Sequence, residues 1–193
     1  MGSFSATYSR FSDAELGYRY CINGIQMHLR TENPYLYKAQ EFLLVLLMGY
    51  AYFHYDRGLL NKASEYFNQA YEVCVRTRGE DDQQTVLILN NLGTVNRKQG
   101  YNENALRYFR QAEKLSKNFP NIKDAAYVHL NLGYLHLEND MLLEARRYCK
   151  QALRLSKKSG DEEGKEESKE CLTEVRKALF LSLIHISEPT RPY

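Results

Sequence analysis

The strongest constraint on this chain is a set of small and aromatic residues that recurs at a fixed spacing. Leu89, Leu92 and Gly93 are followed by Gly100, Ala105, Phe109 and Ala112. At helical periodicity, Gly93 lies on one helix and Ala105 on the next, and small residues at both places let two backbones approach closely. Gly100 supplies the positive φ that the turn between them requires. Phe109 provides the bulk that packs across the pair. The same offsets return in Leu47, Ala51, Gly58, Ala63, Phe67 and Ala70, and again in Gly133, Ala145, Cys149 and Ala152. In the last set Asp140 stands at the turn position, and Asp tolerates the left-handed region better than most residues. Ala51 to Gly93 is 42 positions and Gly93 to Gly133 is 40. Ala14, Tyr18 and Cys21 carry a fourth trace of the second-helix spacing with little chain before them, so the sequence is expected to begin inside a repeat.

This pattern resembles the tetratricopeptide repeat, a helix–turn–helix unit of about 34 residues with L-G on its first helix and A-x3-F on its second. The wider spacing here implies longer connections or helices extended by a turn or two. The resemblance implies an all-α fold, a right-handed superhelix of stacked helix pairs closed by a C-terminal capping helix. No alternating strand pattern competes with it. The expected organisation is a disordered or truncated stretch 1–12, a repeat array 13–160, a capping helix 161–180 and a separate tail 181–193. Within the array, a partial repeat spans 13–31 and full repeats span about 44–77, 86–119 and 126–159.

Local signals place the helices. Ser12 or Asp13 can cap a helix running to about Arg30. Asn33-Pro34 ends it and starts the next, with Pro34 at the first helical position. That helix runs to Asp56-Arg57-Gly58, and Leu60 to Arg78 is its partner. Asp81 or Asp82 caps a helix from Gln83 to Lys98. Asn102 to Lys117 follows, then a break at Phe119-Pro120-Asn121 and helices at about 122–138 and 141–158. Residues 161–170 are charge-dense, while Leu172, Val175 and Leu179 share one helical face, as a terminal helix with a polar outside requires. The run from Leu181 to Arg191 looks like the translation of a transposase sequencing adapter, so 181–193 is set aside from functional reasoning.

Composition narrows the function classes. Lys and Arg number 26 against 24 Asp and Glu, a net charge of +2, which gives no overall pull toward nucleic acid or an anionic membrane. The longest uncharged run, Phe42 to Tyr55, is shorter than the roughly 20 apolar residues of a spanning helix and reads as a core helix. No transmembrane segment is expected. Cys21, Cys74, Cys149 and Cys171 show no paired spacing and read as buried free thiols. Glycine-rich phosphate loops, nucleophile elbows and zinc-type spacings are all missing from the sequence. His129 and His136 lie two turns apart, which is long for joint metal ligation, and His129 reads as a core residue. The expectation is therefore no enzyme, no catalytic residue, no metal and no cofactor.

The array favours binding instead. First helices of stacked repeats line a concave surface. In the register above, that surface receives Met48, Tyr52 and Tyr55, with Val45, from the first full repeat. The second contributes Asn90, Asn91, Thr94 and Arg97, with Leu87. The third contributes Tyr127, Asn131 and Tyr134, with Leu130 and Leu137. Tyrosine offers rigid contact area with a polar tip, and asparagine can pair with both polar groups of a peptide. Asn91 and Asn131 hold equivalent places, two rungs of a ladder for an extended peptide in the groove. The lysines, arginines and asparagines of a carboxylate clamp are missing, since Met48, Tyr52 and Tyr127 occupy those places.

Two families are resembled more closely. Gly79-Glu80 through Thr85, then Asn90-Asn91-Leu92-Gly93, resembles the long-spaced repeats of kinesin light chains, which implies a cytosolic cargo adaptor. The chain is still more similar to the mitochondrial tetratricopeptide repeat protein 19 family. Gly17-Tyr18-Arg19-Tyr20-Cys21-Ile22 resembles that family's Gly-Tyr-x-Phe-Cys-Ile. Gly79-Glu80 with Gln84-Thr85 resembles its G-E-x-H-P-Q-T turn, and Gln99-Gly100-Tyr101 with Glu103 and Ala105 its Q-G-R-F-D-E-A. Asp82-Gln83 replaces the family's His-Pro, which removes a rigid turn. The resemblance implies a protein of the mitochondrial inner membrane, a partner of respiratory complex III that acts on the Rieske iron–sulfur subunit or its processed fragments, and it carries a link to cytokinesis. Since an adapter-derived tail has no evolved packing partner, deleting 181–193 should leave the melting temperature nearly unchanged in a thermal scan.

Overall fold

The computed structural model describes residues 10, 12–17, 19–21, 23, 24, 27, 34–119 and 121–187, with backbone alone at 34 and 184–187. Among the described residues all regular structure is α-helical. From residue 34 onward the helices are α1 (Pro34–Asp56), α2 (Leu60–Arg78), α3 (Gln83–Lys98), α4 (Asn102–Ser116), α5 (Ile122–Glu138), α6 (Leu142–Ser159) and α7 (Glu162–Ser187). Earlier in the chain, Arg10, residues 12–17 and residues 19–21 are helical, so Ser12 and Asp13 lie inside a helix rather than capping it. Residues 1–9, and with them most of the expected 1–12 stretch, lie outside the described residues. The chain divides into two compact units, Met1–Gln99 and Gly100–Tyr193. Their boundary falls inside the expected repeat 86–119, so α3 and α4 belong to different units.

In the first unit α1 packs on α2, and α2 packs on α3. The turn between α1 and α2 is closed by Gly58, at φ +71°, and by the Leu59 N–H donating to His54 O at 2.9 Å. Leu47 and Ala51 of α1 and Ala63, Phe67 and Ala70 of α2 are buried at the small and aromatic positions of the pattern. Complete burial of a side chain the size of Leu47 or Phe67 contributes roughly 1.5–3 kcal/mol. Two polar contacts fix the register. Arg78 Nε donates to Glu41 Oε1 at 2.8 Å, which ties the end of α2 to α1 and holds the Glu41 carboxyl below its ordinary range. Asp82 caps α3, accepting from the Gln84 N–H at 2.8 Å, as its position before the helix demands.

The second unit is built from α4 to α7. Its main hairpin, α5 and α6, turns at Asp140, whose φ is +57°. There the Met141 N–H donates to His136 O at 2.9 Å, the same bond that Leu59 makes at the Gly58 turn. The left-handed residue is thus demanded by the turn, and Asp meets the demand where the other repeats use glycine. The core beneath is formed by Leu130 of α5, Ala145, Cys149 and Ala152 of α6, and Cys171, Leu172 and Val175 of α7. α7 is longer than the expected 161–180, starting at Glu162 and running to Ser187.

The cysteines require a correction. Cys149 and Cys171 form a disulfide between α6 and α7, with their Cα atoms 6.0 Å apart and a sequence separation of 22. Only Cys74 is a buried free thiol, and Cys21 is exposed. Spacing along the chain did not show the pair, because it arises where two helices from different parts of the pattern cross. Gly133 lies directly beneath it. A Cβ there would stand 2.6 Å from Cys149 Sγ and 3.2 Å from Cys171 Sγ. Gly133→Ala should therefore overpack the α5–α6–α7 junction by about 1–3 kcal/mol, read as a lower urea midpoint at unchanged slope.

Candidate protein-binding surface

α1 carries the most exposed apolar surface of the first unit. Phe42 is 56% exposed and Val45 70%, and Tyr52 follows two turns later at 39%. These residues, with exposed Gly49 between them, recur every three or four positions and so share one face. The opposite face of the helix is the core. Met48 falls on that buried side at 8% exposure, so it does not belong to the surface as expected from the sequence. The error is one of register: a helix uncharged from Phe42 to Tyr55 offers no polar stripe to show which side faces water. Phe42 was missed for the same reason, although its spacing from Val45 and Tyr52 was present in the sequence.

The remaining candidates of the first unit form a connected set. Asn91 Nδ2 on α3 donates to Tyr52 Oη at 2.6 Å. Desolvation raises the Tyr52 pKa, and the Asn91 bond opposes that shift. The Tyr52 ring meets Phe67 edge-on with centroids 5.3 Å apart. Lys98 Nζ sits 4.2 Å above the Tyr55 ring. Thr94 Oγ1 donates to Asn90 O at 2.9 Å, and Asn90 itself is buried. Arg97 is half-buried on α3. Asn91 is therefore a strut between α1 and α3, committed to Tyr52 rather than presented as an open rung. What the surface offers is an apolar line, Phe42–Val45–Tyr52, bordered by the Tyr52–Asn91 pair and by Lys98.

The candidates of the second unit are used differently. Tyr127, Tyr134 and Leu137 pack, half-buried, against the core that includes Cys171, Leu172 and Val175 of α7, and Leu130 is buried within it. Tyr134 Oη donates to Glu167 O at 3.4 Å. Desolvation pushes the Tyr127 pKa up to about 12, and the Asp161 carboxylate adds to the shift. Lys123 pairs with that carboxylate at 3.1 Å. Asn131 is half-buried on the same helix. Tyr127 and Tyr134 were expected to face solvent; α7 packs over them instead, because its Cys171, Leu172 and Val175 share a core with α5.

His54, His129 and His136 make packing and pairing contacts within the helices' interior. His54 is 1% exposed and stacks on Tyr66 with centroids 5.4 Å apart; His136 is 6% exposed and stacks on Tyr148 at 5.2 Å. His129, expected in the core, is half-buried with Nε2 3.5 Å from Glu113 Oε1. Among the described residues no group of three or more His, Cys, Asp or Glu side chains is placed to hold a metal. Among the same residues no helix is long and apolar enough to cross a membrane.

This arrangement of helix pairs, small contact residues and left-handed turns is that of a repeat scaffold, and models of the tetratricopeptide repeat match residues 42–118 and 126–159. The chain belongs to the tetratricopeptide repeat family. It is similar to the mitochondrial tetratricopeptide repeat protein 19 of Rattus norvegicus, 22% identical over 191 residues, covering 94% of this chain and 52% of that protein. The chain spans about half the length of the rat, mouse and human relatives it matches. Among solved structures it is similar to BtubC (BKLC) from P. vanneervenii, with a TM-score of 0.58 and 19% identity over 97% of this chain and 80% of that one. A kinesin-light-chain-like protein of P. anserina with nearly identical repeats gives 0.58 at 14% identity, over 91% of this chain and 81% of that one. At these identities the two structures show the fold alone.

Burial carries a consequence for acid stability. Desolvation holds the His54 and His136 pKa values below the ordinary 6.5, aided at His54 by Lys62 and Arg57, and opposed at His136 by Glu144 while Arg110 and Arg147 aid it. Above that pH neither the folded nor the unfolded chain carries these protons, so the two imidazoles leave stability unchanged. Below it, the unfolded chain binds protons that the folded imidazoles refuse, and stability falls until the lowered folded values are passed. The melting temperature should drop as the pH falls below about 6.5, and less steeply for His136→Gln.

Proposed function

We propose that this chain is a non-enzymatic protein-binding scaffold, that it works in the mitochondrion at the inner membrane, and that its partner is respiratory complex III through the Rieske iron–sulfur subunit or its processed fragments. The observation that carries the binding role is the exposed line Phe42–Val45–Tyr52 on a helix held rigid by its pairing with α2. Large apolar side chains aligned on one face, edged by a polar pair and a lysine, fit an extended or helical segment of another protein. The similarity to tetratricopeptide repeat protein 19 supports the choice of partner and compartment. The kinesin-light-chain reading has fold-level likeness behind it and no residue of the site in its favour.

The partner would lay apolar side chains over Phe42 and Val45 while Tyr52 contributes ring area, its hydroxyl already oriented by Asn91. Preorganisation of this kind lowers the entropy lost on binding. Rim residues add little, whereas truncation of a central anchor costs about 2 kcal/mol or more, roughly thirtyfold in affinity. The test is capture from mitochondrial extract with the intact chain and with a Phe42→Ser, Val45→Ser variant, quantifying the Rieske subunit and its fragments. The wild type should retain them and the variant, melting within a few degrees of it, should lose more than tenfold. Equal recovery by both, or none by the folded wild type, overturns the reading. Recovery of kinesin heavy chain instead would favour the cargo-adaptor class.

A further inference from the structure

The near-neutral total charge of the chain hides a segregation of charge within the second unit. On α4, Arg107, Arg110 and Lys114 are all exposed, and they lie on the side opposite buried Ala105, Phe109 and Ala112. Forty residues further along, α6 repeats the arrangement with Arg147, Lys150 and Arg154, opposite buried Ala145, Cys149 and Ala152. The two helices flank α5, and Glu113, His129, Arg147, Tyr148 and Gln151 line the cleft between them. Each is joined to α5 by a short connection and runs antiparallel to it, and Arg110 and Arg147 both lie close enough to buried His136 of α5 to oppose its protonation, which puts the two rows on the same side of α5.

A solvated helix face normally mixes both signs, and this one does not. Among the described residues none of these six cations has a carboxylate within ion-pair distance. Of the acids on the two helices, Glu113 turns to His129, and Glu103 and Glu144 lie in the first turns, before the cations. The corresponding positions on α2, 42 residues earlier, hold Glu65, Asn68 and Glu72, so the rows are a property of this unit and not of the repeat pattern. The acids of the second unit are concentrated elsewhere, between Asp161 and Glu170.

A second feature lies at the N-terminal end of both helices. Tyr101 precedes α4 and is 58% exposed; Met141 precedes α6 at 45%, and Leu143 in its first turn is 70% exposed. Both Tyr101 and Met141 are thus exposed at the starts of their helices. Parallel helices bring these apolar groups to the same end of the cationic face. Nucleic acid would use the cations but has nothing to gain from an exposed leucine and methionine. A lipid surface uses both, since phosphate headgroups meet the cations while apolar side chains enter the boundary with the acyl chains.

We propose that the α4–α6 face of the second unit docks peripherally on an anionic phospholipid surface, with Tyr101, Met141 and Leu143 as its shallow apolar anchor. This face is distinct from the α1 line, and the inference stands whether or not that line receives the protein partner proposed above. It also requires no spanning helix.

The test is flotation of the intact chain with phosphatidylcholine vesicles, with and without phosphatidylglycerol. Binding should require phosphatidylglycerol and weaken steeply with added salt. Because each cation near such a surface contributes severalfold, Arg110→Gln with Lys114→Gln, Lys150→Gln and Arg154→Gln should reduce partitioning about 100-fold or more. Neutralising Lys38, Arg57, Lys62 and Arg76 of the first unit makes the same change in net charge and should reduce it far less. Leu143→Ser with Tyr101→Ser should lower the binding that survives at high salt. Equal partitioning of the two charge variants overturns the proposal, as does binding to neutral vesicles alone. Retention on an oligonucleotide or polyglutamate column without vesicle binding also overturns it, in favour of a nucleic acid or an ion-exchange effect. All the substituted side chains are exposed, and melting curves confirm that each variant is folded.

Discussion

Close approach of helix backbones is the condition on which the rest of this molecule depends. Two helices can come near enough to exclude water only where both present small side chains, and here those places are held by alanine and glycine that are fully buried or nearly so: Ala51, Ala63, Ala70, Ala105, Ala112, Ala126, Ala145 and Ala152. Around each contact a larger residue, Phe67, Phe109 or Leu132, fills the remaining space. Gly133 shows how little room is left, since even one added carbon would collide with Cys149. A close-packed interior of this type has discrete arrangements and little tolerance for added volume. That stiffness lets exposed side chains on α1 keep a fixed geometry.

The two units put the same kind of helix face to different uses. On α1 the outward residues Phe42, Val45 and Tyr52 are exposed, and Tyr52 is braced by Asn91 at 2.6 Å. On α5 the tyrosines of the corresponding face are drawn under α7, which supplies Cys171, Leu172 and Val175 to a common core. The disulfide between Cys149 and Cys171 joins α7 covalently to α6 at the centre of that core. The outward faces of α4 and α6, by contrast, carry exposed cations with no carboxylate partner among the described residues.

Much of the fold was legible in the residues. The turn at Asp140, the cap at Asp82 and the limits of α2 all follow from local rules of backbone conformation, and they are found where those rules put them. The site was less legible. Met48 and Phe42 are both large and apolar, and nothing in an uncharged helix says which one meets water. Met48 is 8% exposed and Phe42 56%, a difference made by the neighbour each one faces. Cys149 and Cys171 likewise have no sequence relation that marks them as a pair.

By itself, then, the sequence determined what rests on local periodicity: the helices, the ends of α1 to α6, the left-handed turns, and the repeat family to which the chain belongs. Those features are set by backbone sterics and by the spacing of small residues, both of which act over a few positions and can be read along a line. Only the tertiary structure decided which face of α1 is exposed, which tyrosines α7 covers, which thiols meet, and which cations of a chain of net charge +2 share a face on α4 and α6. Burial, desolvation and charge pairing depend on which groups adjoin one another in space, and positions far apart in the chain become neighbours only when the helices pack.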